Sequence, residues 1–330
     1  MNSIRFWLGL VISAVCLWLA FQGIQLDQVA KAVSGMDYAA LAPATLFFLI
    51  SYAGRVFRWR ALFSPDQLRL SKIFNALNIG YFLSNILPAR IGDIIRAYWI
   101  GDVENISKAR ALSTIVIERM SDGFTVVLLL GIVAFSVPEI PEIARQGALG
   151  VAIVGVVGVA FLIILSANKT RGIQLLKKIA APFSFLSRPR LWSALESLID
   201  GFAILRAPRA ISAVALWSLF AWTIGGGVYW ITLRAVGIDL PPSAAYLVMT
   251  VTSLGVVVPS SPGYLGVFHA VAVGILTQVY HQDPALALSY AIVVHAFVYL
   301  WLTALGLFSI WHEGLTYSRL QMLRAEPVKE

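Results

Sequence analysis

The sequence predicts an all-α polytopic membrane protein with about six spanning helices and two re-entrant broken helical hairpins, arranged as an inverted repeat. Hydrophobic residues make up 59% of the 330 residues and charged residues 13%, whereas soluble domains contain about 25% charged residues. Several apolar runs reach the roughly 20 residues that a helix needs to cross a bilayer. Two further apolar segments are interrupted by proline and glycine, at 88–92 and 259–263. We therefore expect a single integral membrane domain over residues 1–330.

The distribution of basic residues sets the orientation of the first helices. Helix 4–23 leads into a loop that is not basic, whereas helix 38–57 ends in a cluster of arginines: Arg55, Arg58 and Arg60. Because lysine and arginine accumulate in cytoplasmic loops, we place this cluster and the N-terminus in the cytoplasm. The basic tail places the C-terminus there as well. The predicted location is the cell inner (plasma) membrane, as a multi-pass protein.

The first broken segment places charges where its flanking residues predict lipid. Its two arms, 73–87 and 91–100, are too short to span and are expected to form a hairpin entered from the cytoplasm. Pro88 and Gly92 mark the break. Three charged residues lie at or beyond it: Arg90, Asp93 and Arg96. A charge at membrane depth costs about 2.5 to more than 10 kcal/mol, so these residues predict a functional site.

Helix 111–137 carries a second charged set, Glu118, Arg119 and Asp122, in which Glu118 and Asp122 share a face because they are four residues apart. An apolar helix is expected at 148–167. The section 168–209 is basic and has leucines at helical spacing, which favours an amphipathic helix on the cytoplasmic membrane surface. A helix packed on the inner face of the bundle is the alternative.

The second broken segment follows helix 211–233. Its arms, 244–258 and 264–279, flank the break Pro259, Ser260, Ser261, Pro262, Gly263. The adjoining loops contain no lysine or arginine, so this hairpin is expected to enter from the outside. A final helix covers 285–311.

Both breaks read Pro-x-x-x-Gly and enter from opposite sides, which predicts inverted halves of about 1–137 and 148–312. Inverted repeats with such interrupted segments point to a transport site. The arms that begin at Ile91 and Tyr264 would direct helix N-termini inward, and helix N-termini suit anionic groups.

Three blocks of the sequence resemble the signature of a known family. They are RIGDIIRAYWI (90–100), ALSTIVIERMSDG (111–123) and PSSPGYLGVFHA (259–270). Together they are similar to the lysylphosphatidylglycerol synthase transmembrane-region family, also called the flippase-like domain family. The resemblance implies a lipid-translocation role without aminoacyl transfer, because the synthase domain is missing from the sequence. Asp93 stands where the family usually has glutamate, and His269 lies near another glutamate position.

The candidate substrate-binding residues are Arg90, Asp93, Arg96, Glu118, Arg119, Asp122, Ser260, Ser261, Gly263 and His269, and the candidate hairpin-break residues are Pro88, Gly92, Pro259 and Pro262. Arginine can hold a lipid phosphate because its planar fork binds two oxygens. Alternatively, these arginines neutralise the nearby carboxylates. The charged set of helix 111–137 could instead meet water at the interface, with Asp122 the deepest of the three.

The remaining candidates have structural alternatives. His269 could couple protons, or, like His295, hydrogen-bond a neighbouring helix. The two serines of the second break are expected to satisfy freed backbone groups. Trp217, Trp222 and Trp230 are expected to be packing or interface anchors.

The predicted function is movement of an anionic phospholipid or lipid-linked substrate between leaflets. The alternatives are a scaffold or accessory subunit of a lipid or glycolipid pathway, and an enzyme that modifies lipid phosphates. No nucleophile with a base and no metal-ligand set is recognisable, so we expect no enzyme activity, cofactor or metal. The net charge of +8 lies in loops beside the spans, so no nucleic acid partner is expected. An oligomer is compatible with the sequence.

Overall fold

The computed structural model describes residues 3–87, 90–136, 207–255 and 261–315, together with single helical positions at 146, 150, 153, 157 and 174. The predicted helix 148–167 and the basic section 168–209 lie almost wholly outside the described residues. Within the described ranges the regular structure is helical throughout, which confirms the all-α class. The helices are α1 Ser3–Phe21, α2 Leu26–Ser34, α3 Leu41–Ala61, α4 Leu70–Ile86, α5 Ile91–Val103, α6 Lys108–Ser136, α7 Pro208–Ala235, α8 Pro242–Gly255, α9 Val267–Gln278 and α10 Pro284–His312. Short 3-10 turns occupy Tyr38–Ala40 and Pro262–Tyr264.

Three helical segments among the described residues are long and apolar enough to cross a bilayer: Tyr38–Ala61, Pro208–Ala235 and Pro284–His312. The bent pair Val11–Phe21 and Leu26–Ser34 would make a fourth. The helices also expose large apolar side chains, among them Trp18, Leu216 and Trp311. Soluble monomers rarely expose large contiguous apolar patches, so these surfaces suit lipid. The number of about six spans and the orientation of the termini stay predictions.

Helix α2 lies where the sequence predicted a loop. Its sequence mixes polar and apolar residues, but one side of the helix is apolar and carries the buried Val29. The helix packs against α10. The Ser289 hydroxyl of α10 lies 3.5 Å from the Val29 carbonyl.

The arms α4 and α5 pack side by side around a glycine contact. A Cβ added to Gly92 would lie 2.1 Å from the Gly80 carbonyl oxygen and 2.5 Å from the Ser84 nitrogen. Gly92 was predicted as a break residue, but it is the second residue of α5. Its function is close packing, because any side chain there would separate the two arms. The backbone reverses earlier, and Arg90 adopts a positive φ of 52° just before α5.

In the second hairpin, the arm predicted from Tyr264 begins as α9 only at Val267. Gly263 and Gly266 have φ of 72° and 94°, which interrupts regular helix. Gly266 also allows close approach of α1, because a Cβ there would lie 2.3 Å from the Ser13 carbonyl oxygen. The Ser13 hydroxyl in turn accepts a 2.7 Å hydrogen bond from the Ser261 nitrogen.

The two breaks meet. Arg90 Nε donates to the Tyr264 hydroxyl at 2.7 Å, and a Cβ on Gly263 would lie 3.6 Å from the Asn85 carbonyl oxygen. The two largest buried apolar clusters among the described residues draw on different parts of the chain. One is centred on α3 to α6, with Trp59 and Leu77, and the other on α7 to α10, with Leu233 and Tyr290.

Candidate functional site

An ion network joins the first hairpin to α6. On α5, Asp93 and Arg96 are three residues apart and pair at 3.1 Å. On α6, Glu118 lies 3.2 Å from Arg96, and Arg119 lies 3.1 Å from Asp93. Asp122, one turn further along α6, lies 3.5 Å from Arg119. The structure thus brings together five of the predicted site residues, whose role in substrate binding stays a prediction.

Two arginines of α3 complete the network. Arg58 is fully buried, donates to Asp122 and lies 3.4 Å from Glu118. One turn earlier, Arg55 lies 4.0 Å from Asp122. The sequence predicted both arginines in the cluster at the end of helix 38–57, one residue inside that helix and one just beyond it. Helix α3 continues to Ala61 and carries their side chains into the bundle.

The carboxylates of α6 are shielded from solvent. The side chains of Glu118 and Asp122 are 0% and 11% exposed, so these two carboxylates do not meet interfacial water, whereas the Arg119 side chain is 32% exposed. The Tyr81 hydroxyl donates to Glu118 at 3.2 Å, and Trp222 Nε1 donates to Asp122 at 2.8 Å. Trp222 is therefore part of the site and not only a packing anchor.

The described network contains more positive than negative charge. It has four arginines, Arg55, Arg58, Arg96 and Arg119, and three carboxylates, Asp93, Glu118 and Asp122. Four less three leaves a formal charge of +1. Each guanidinium has five N–H donors and each carboxylate about four acceptor positions, so donors are also in excess.

A cavity of about 300 Å³ lies beside this network, between residues of α3 and α4 and residues of α7 to α10. Arg55 is the charged member of the network that lines it. Its side chain is 23% exposed, and its guanidinium lies 5.1 Å from the ring centroid of Trp222. None of the described lining residues is a carboxylate. The surplus positive charge therefore faces the cavity.

Arg90 and the second break lie outside the ion network. The Arg90 guanidinium bonds Tyr264 and lies 5.5 Å from its ring centroid, so it bridges the breaks. The Ser261 hydroxyl donates to the Leu265 carbonyl at 3.2 Å, as expected for a serine that satisfies freed backbone groups. Gly263 lines the cavity, and Pro262 begins the 3-10 turn. Three predicted residues lie outside the described part of the chain: Pro88, Pro259 and Ser260.

His269 and His295 form a pair between α9 and α10. Their ring centroids are 5.0 Å apart, and the Nδ1 atom of each is buried with no hydrogen-bond partner among the described residues. His295 lines the cavity, whereas His269 is not among the lining residues. The predicted role of His269 in substrate binding stays a prediction.

A chain of polar side chains leads to the cavity along the contact between α4 and α10. Ser309 donates to Asn75 at 3.1 Å and accepts from Asn78 at 2.8 Å. Asn78 in turn accepts from the hydroxyl of Tyr52, which lines the cavity. We call this set, with Glu313 and Lys72 at its outer end, the α4–α10 polar chain. Two asparagines within an apolar helix are the sequence signal that could have revealed it.

Glu313 lies at the end of the α4–α10 polar chain that is farther from the cavity. It pairs with Lys72 at 2.6 Å and accepts a hydrogen bond from Asn75. Partial burial raises the pKa of Glu313, but the hydrogen bonds from Lys72 and Asn75 outweigh it. The net pKa of Glu313 is therefore below its usual value.

Among the described residues, no group of three or more His, Cys, Asp or Glu side chains is placed to hold a metal ion.

Comparison with known proteins identifies similar chains over nearly the whole length. The family model described as "Lysylphosphatidylglycerol synthase TM region" matches residues 6–306. The chain is 24% identical over 326 residues to a UPF0104 membrane protein of Methanothermobacter thermautotrophicus, with 94% of this chain and 93% of that protein covered. It is also 25% identical over 320 residues to a protein named glycosyltransferase AglD from Haloferax volcanii. That match covers 87% of this chain and 51% of the relative, so the chain spans about half the length of that protein.

Proposed function

Because the chain belongs to the lysylphosphatidylglycerol synthase TM region family, we propose that it moves an anionic phospholipid or lipid-linked substrate between the leaflets of a membrane. The family relatives include a protein named as a membrane protein, and the apolar helices agree with that location. The proposed binding site is the cavity between the two hairpins.

The position of Arg55 is the observation that supports this proposal. An unbalanced positive charge inside an apolar bundle is costly unless a counter-charge reaches it. The other three arginines of the network each lie within 3.5 Å of a carboxylate, whereas Arg55 approaches Asp122 only to 4.0 Å and faces the cavity. A phosphate that enters the cavity would supply the missing negative charge. Its oxygens would accept hydrogen bonds from the N–H groups of the Arg55 guanidinium.

The contact between the two breaks suggests how the cavity could open to each side of the membrane. Arg90 and Tyr264 connect the tips of two hairpins that belong to opposite ends of the chain. If the halves are inverted, as the sequence predicts, loosening one hairpin at a time would open the cavity alternately to each side.

The experiment is a leaflet assay with purified protein in vesicles that contain a small fraction of headgroup-labelled phosphatidylglycerol or labelled lipid phosphate. We expect wild-type protein to accelerate headgroup movement over protein-free vesicles. Arg55→Gln should slow it by about tenfold, which corresponds to about 1.4 kcal/mol of lost interaction. The matched control is Arg69→Gln, whose side chain is 62% exposed and which should move lipid at the wild-type rate. Wild-type movement in Arg55→Gln, or no movement by wild type for any anionic lipid, contradicts the proposal.

A role as an accessory subunit of a glycolipid pathway is the second candidate. It is supported by the relative named as a glycosyltransferase, of which this chain matches about half. In that case the Arg55→Gln protein would sustain glycolipid synthesis in cells as well as the wild type does.

A further inference from the structure

We infer that the cavity binds a sugar phosphate, with the phosphate at Arg55 and the sugar ring against the aromatic wall. This inference rests on the proposed function and narrows its substrate class to a lipid-linked sugar phosphate. It is drawn from the residues of the cavity wall, which combine one cation, many aromatic rings and several neutral hydrogen-bonding groups.

The aromatic residues of the cavity wall suit a ligand ring that has an apolar face and a polar rim. Eight of the twenty lining residues are aromatic, including Trp222, Tyr229, Tyr264, Phe268 and Tyr299, whereas aromatic residues make up 12% of the chain. An aromatic side chain offers an apolar face, and tyrosine adds a polar tip. A sugar ring has a matching apolar C–H face and a rim of hydroxyl groups. An acyl chain would form no hydrogen bonds with the tyrosine hydroxyls, and inorganic phosphate has no apolar surface to pack against the aromatic rings.

Three neutral polar groups with spare hydrogen-bonding capacity gather near Gly263. A Cβ on Gly263 would lie 3.2 Å from the Tyr299 ring and 3.6 Å from the Asn85 backbone, and the His295 ring centroid is 6.3 Å from that of Tyr299. The Tyr299 hydroxyl and the Asn85 amide make no side-chain hydrogen bond within the described residues, and His295 Nδ1 is buried without a partner there. Tyr299 and Asn85 are half-buried and line the cavity, so they can bond the hydroxyl groups of a ligand there.

The charge of the wall argues against a cationic headgroup. Aromatic rings also attract ammonium groups. However, the described wall has no carboxylate to balance one, and Arg55 would repel it. The volume of about 300 Å³ lies at the lower end of the range of about 300–1,000 Å³ that small-molecule sites occupy. The cavity is therefore of a size that suits the headgroup of a lipid.

The test is calorimetric titration of detergent-purified protein with four probes: glucose 1-phosphate, inorganic phosphate, glucose and phosphocholine. We expect glucose 1-phosphate to bind more tightly than the other three. Tyr299→Phe should weaken glucose 1-phosphate by about two- to tenfold, as for the loss of one hydrogen bond, and leave inorganic phosphate unchanged. Arg55→Gln should weaken both. The control Tyr38→Phe removes a hydroxyl that bonds the Val33 carbonyl on the exposed surface and should change neither.

The outcomes separate this inference from the proposed function. Equal affinity for glucose 1-phosphate and inorganic phosphate, both lost in Arg55→Gln, would overturn the sugar site and leave the anion site standing. Tighter binding of phosphocholine would overturn the sugar site as well. No binding of any phosphate, or binding unaffected by Arg55→Gln, would remove the anion site and the sugar site together. A melting temperature for each variant close to that of the wild type confirms that loss of binding is not loss of folding.

Discussion

Arg58 shows how the bundle holds charge in its interior. Its side chain is 0% exposed and lies between the carboxylates of Glu118 and Asp122. Removing one partner of a buried ion pair typically costs about 3–5 kcal/mol, because the remaining charge is left uncompensated. We expect Arg58→Met to lower the free energy of unfolding by about 3 kcal/mol, measured by denaturant titration in mild detergent.

Two variants check that this loss comes from the buried pair. Arg69→Met removes one member of a surface pair, Arg69 with Glu104, and should cost less than about 1 kcal/mol. Arg58→Met combined with Asp122→Leu removes both charges of the pair and should be more stable than Arg58→Met alone. If Arg58→Met proves as stable as Arg69→Met, the pair is not a structural element of the bundle.

Individual charged residues were only partly predictable. The set from Asp93 to Asp122 is visible in the sequence because each charge interrupts an apolar run. The buried position of Arg58 is not visible in the sequence, because an arginine in the last turns of a spanning helix cannot be distinguished by sequence from one in a cytoplasmic loop. Which of the two it is depends on where α3 ends and on what packs beside it.

Gly92 controls the contact between two helices. A Cβ there would lie 2.1 Å from a backbone oxygen of α4, which cannot move aside as a flexible side chain could. Overpacking a core typically costs about 1–3 kcal/mol, so we expect Gly92→Ala to lose about 3 kcal/mol of unfolding free energy and to slow lipid movement. Gly274→Ala in α9 is the control, because no described atom lies within 4 Å of a Cβ placed there. A Gly92→Ala protein with wild-type stability would mean that the arms can separate freely.

The polar chain between α4 and α10 predicts a pH dependence of stability. The pKa of Glu313 is lowered in the folded protein, so its contribution is complete above the unfolded-state pKa of about 4.3. It is lost as the pH falls through the lower folded-state pKa. Unfolding curves of wild type and Glu313→Gln should therefore differ by a constant amount above about pH 5.5 and converge below about pH 4. A difference that grows on acidification would contradict this assignment.

Helices were predicted better than their ends. Hydrophobic run length was enough to place α3, α7 and α10 and the arms of the first hairpin. It missed α2, whose mixed composition hides one buried residue, Val29. It also began α9 three residues early, because the left-handed backbone at Gly263 and Gly266 depends on packing against α1 and α10.

The cavity belongs to the molecule as a whole. Tyr52, Trp222, Tyr264 and Tyr299 come from four separate elements, and no spacing in the sequence relates them. The same holds for the histidine pair, whose members are brought together only when α9 packs on α10. Sequence reasoning could therefore find the charges of α5 and α6, which are close in sequence, but neither the arginines of α3 nor the aromatic side of the site, which is created by folding.

The surplus positive charge of the network has an electrical consequence. The described network, of formal charge +1, becomes neutral when it takes up a monoanionic headgroup, so a loaded site whose arginines move with the lipid would carry no net charge through the membrane field. The empty site would instead move one elementary charge, worth about 2.3 kcal/mol for each 100 mV if it traverses the full field. A potassium diffusion potential imposed on the vesicles should therefore change the rate of repeated turnover but not that of a single loaded passage.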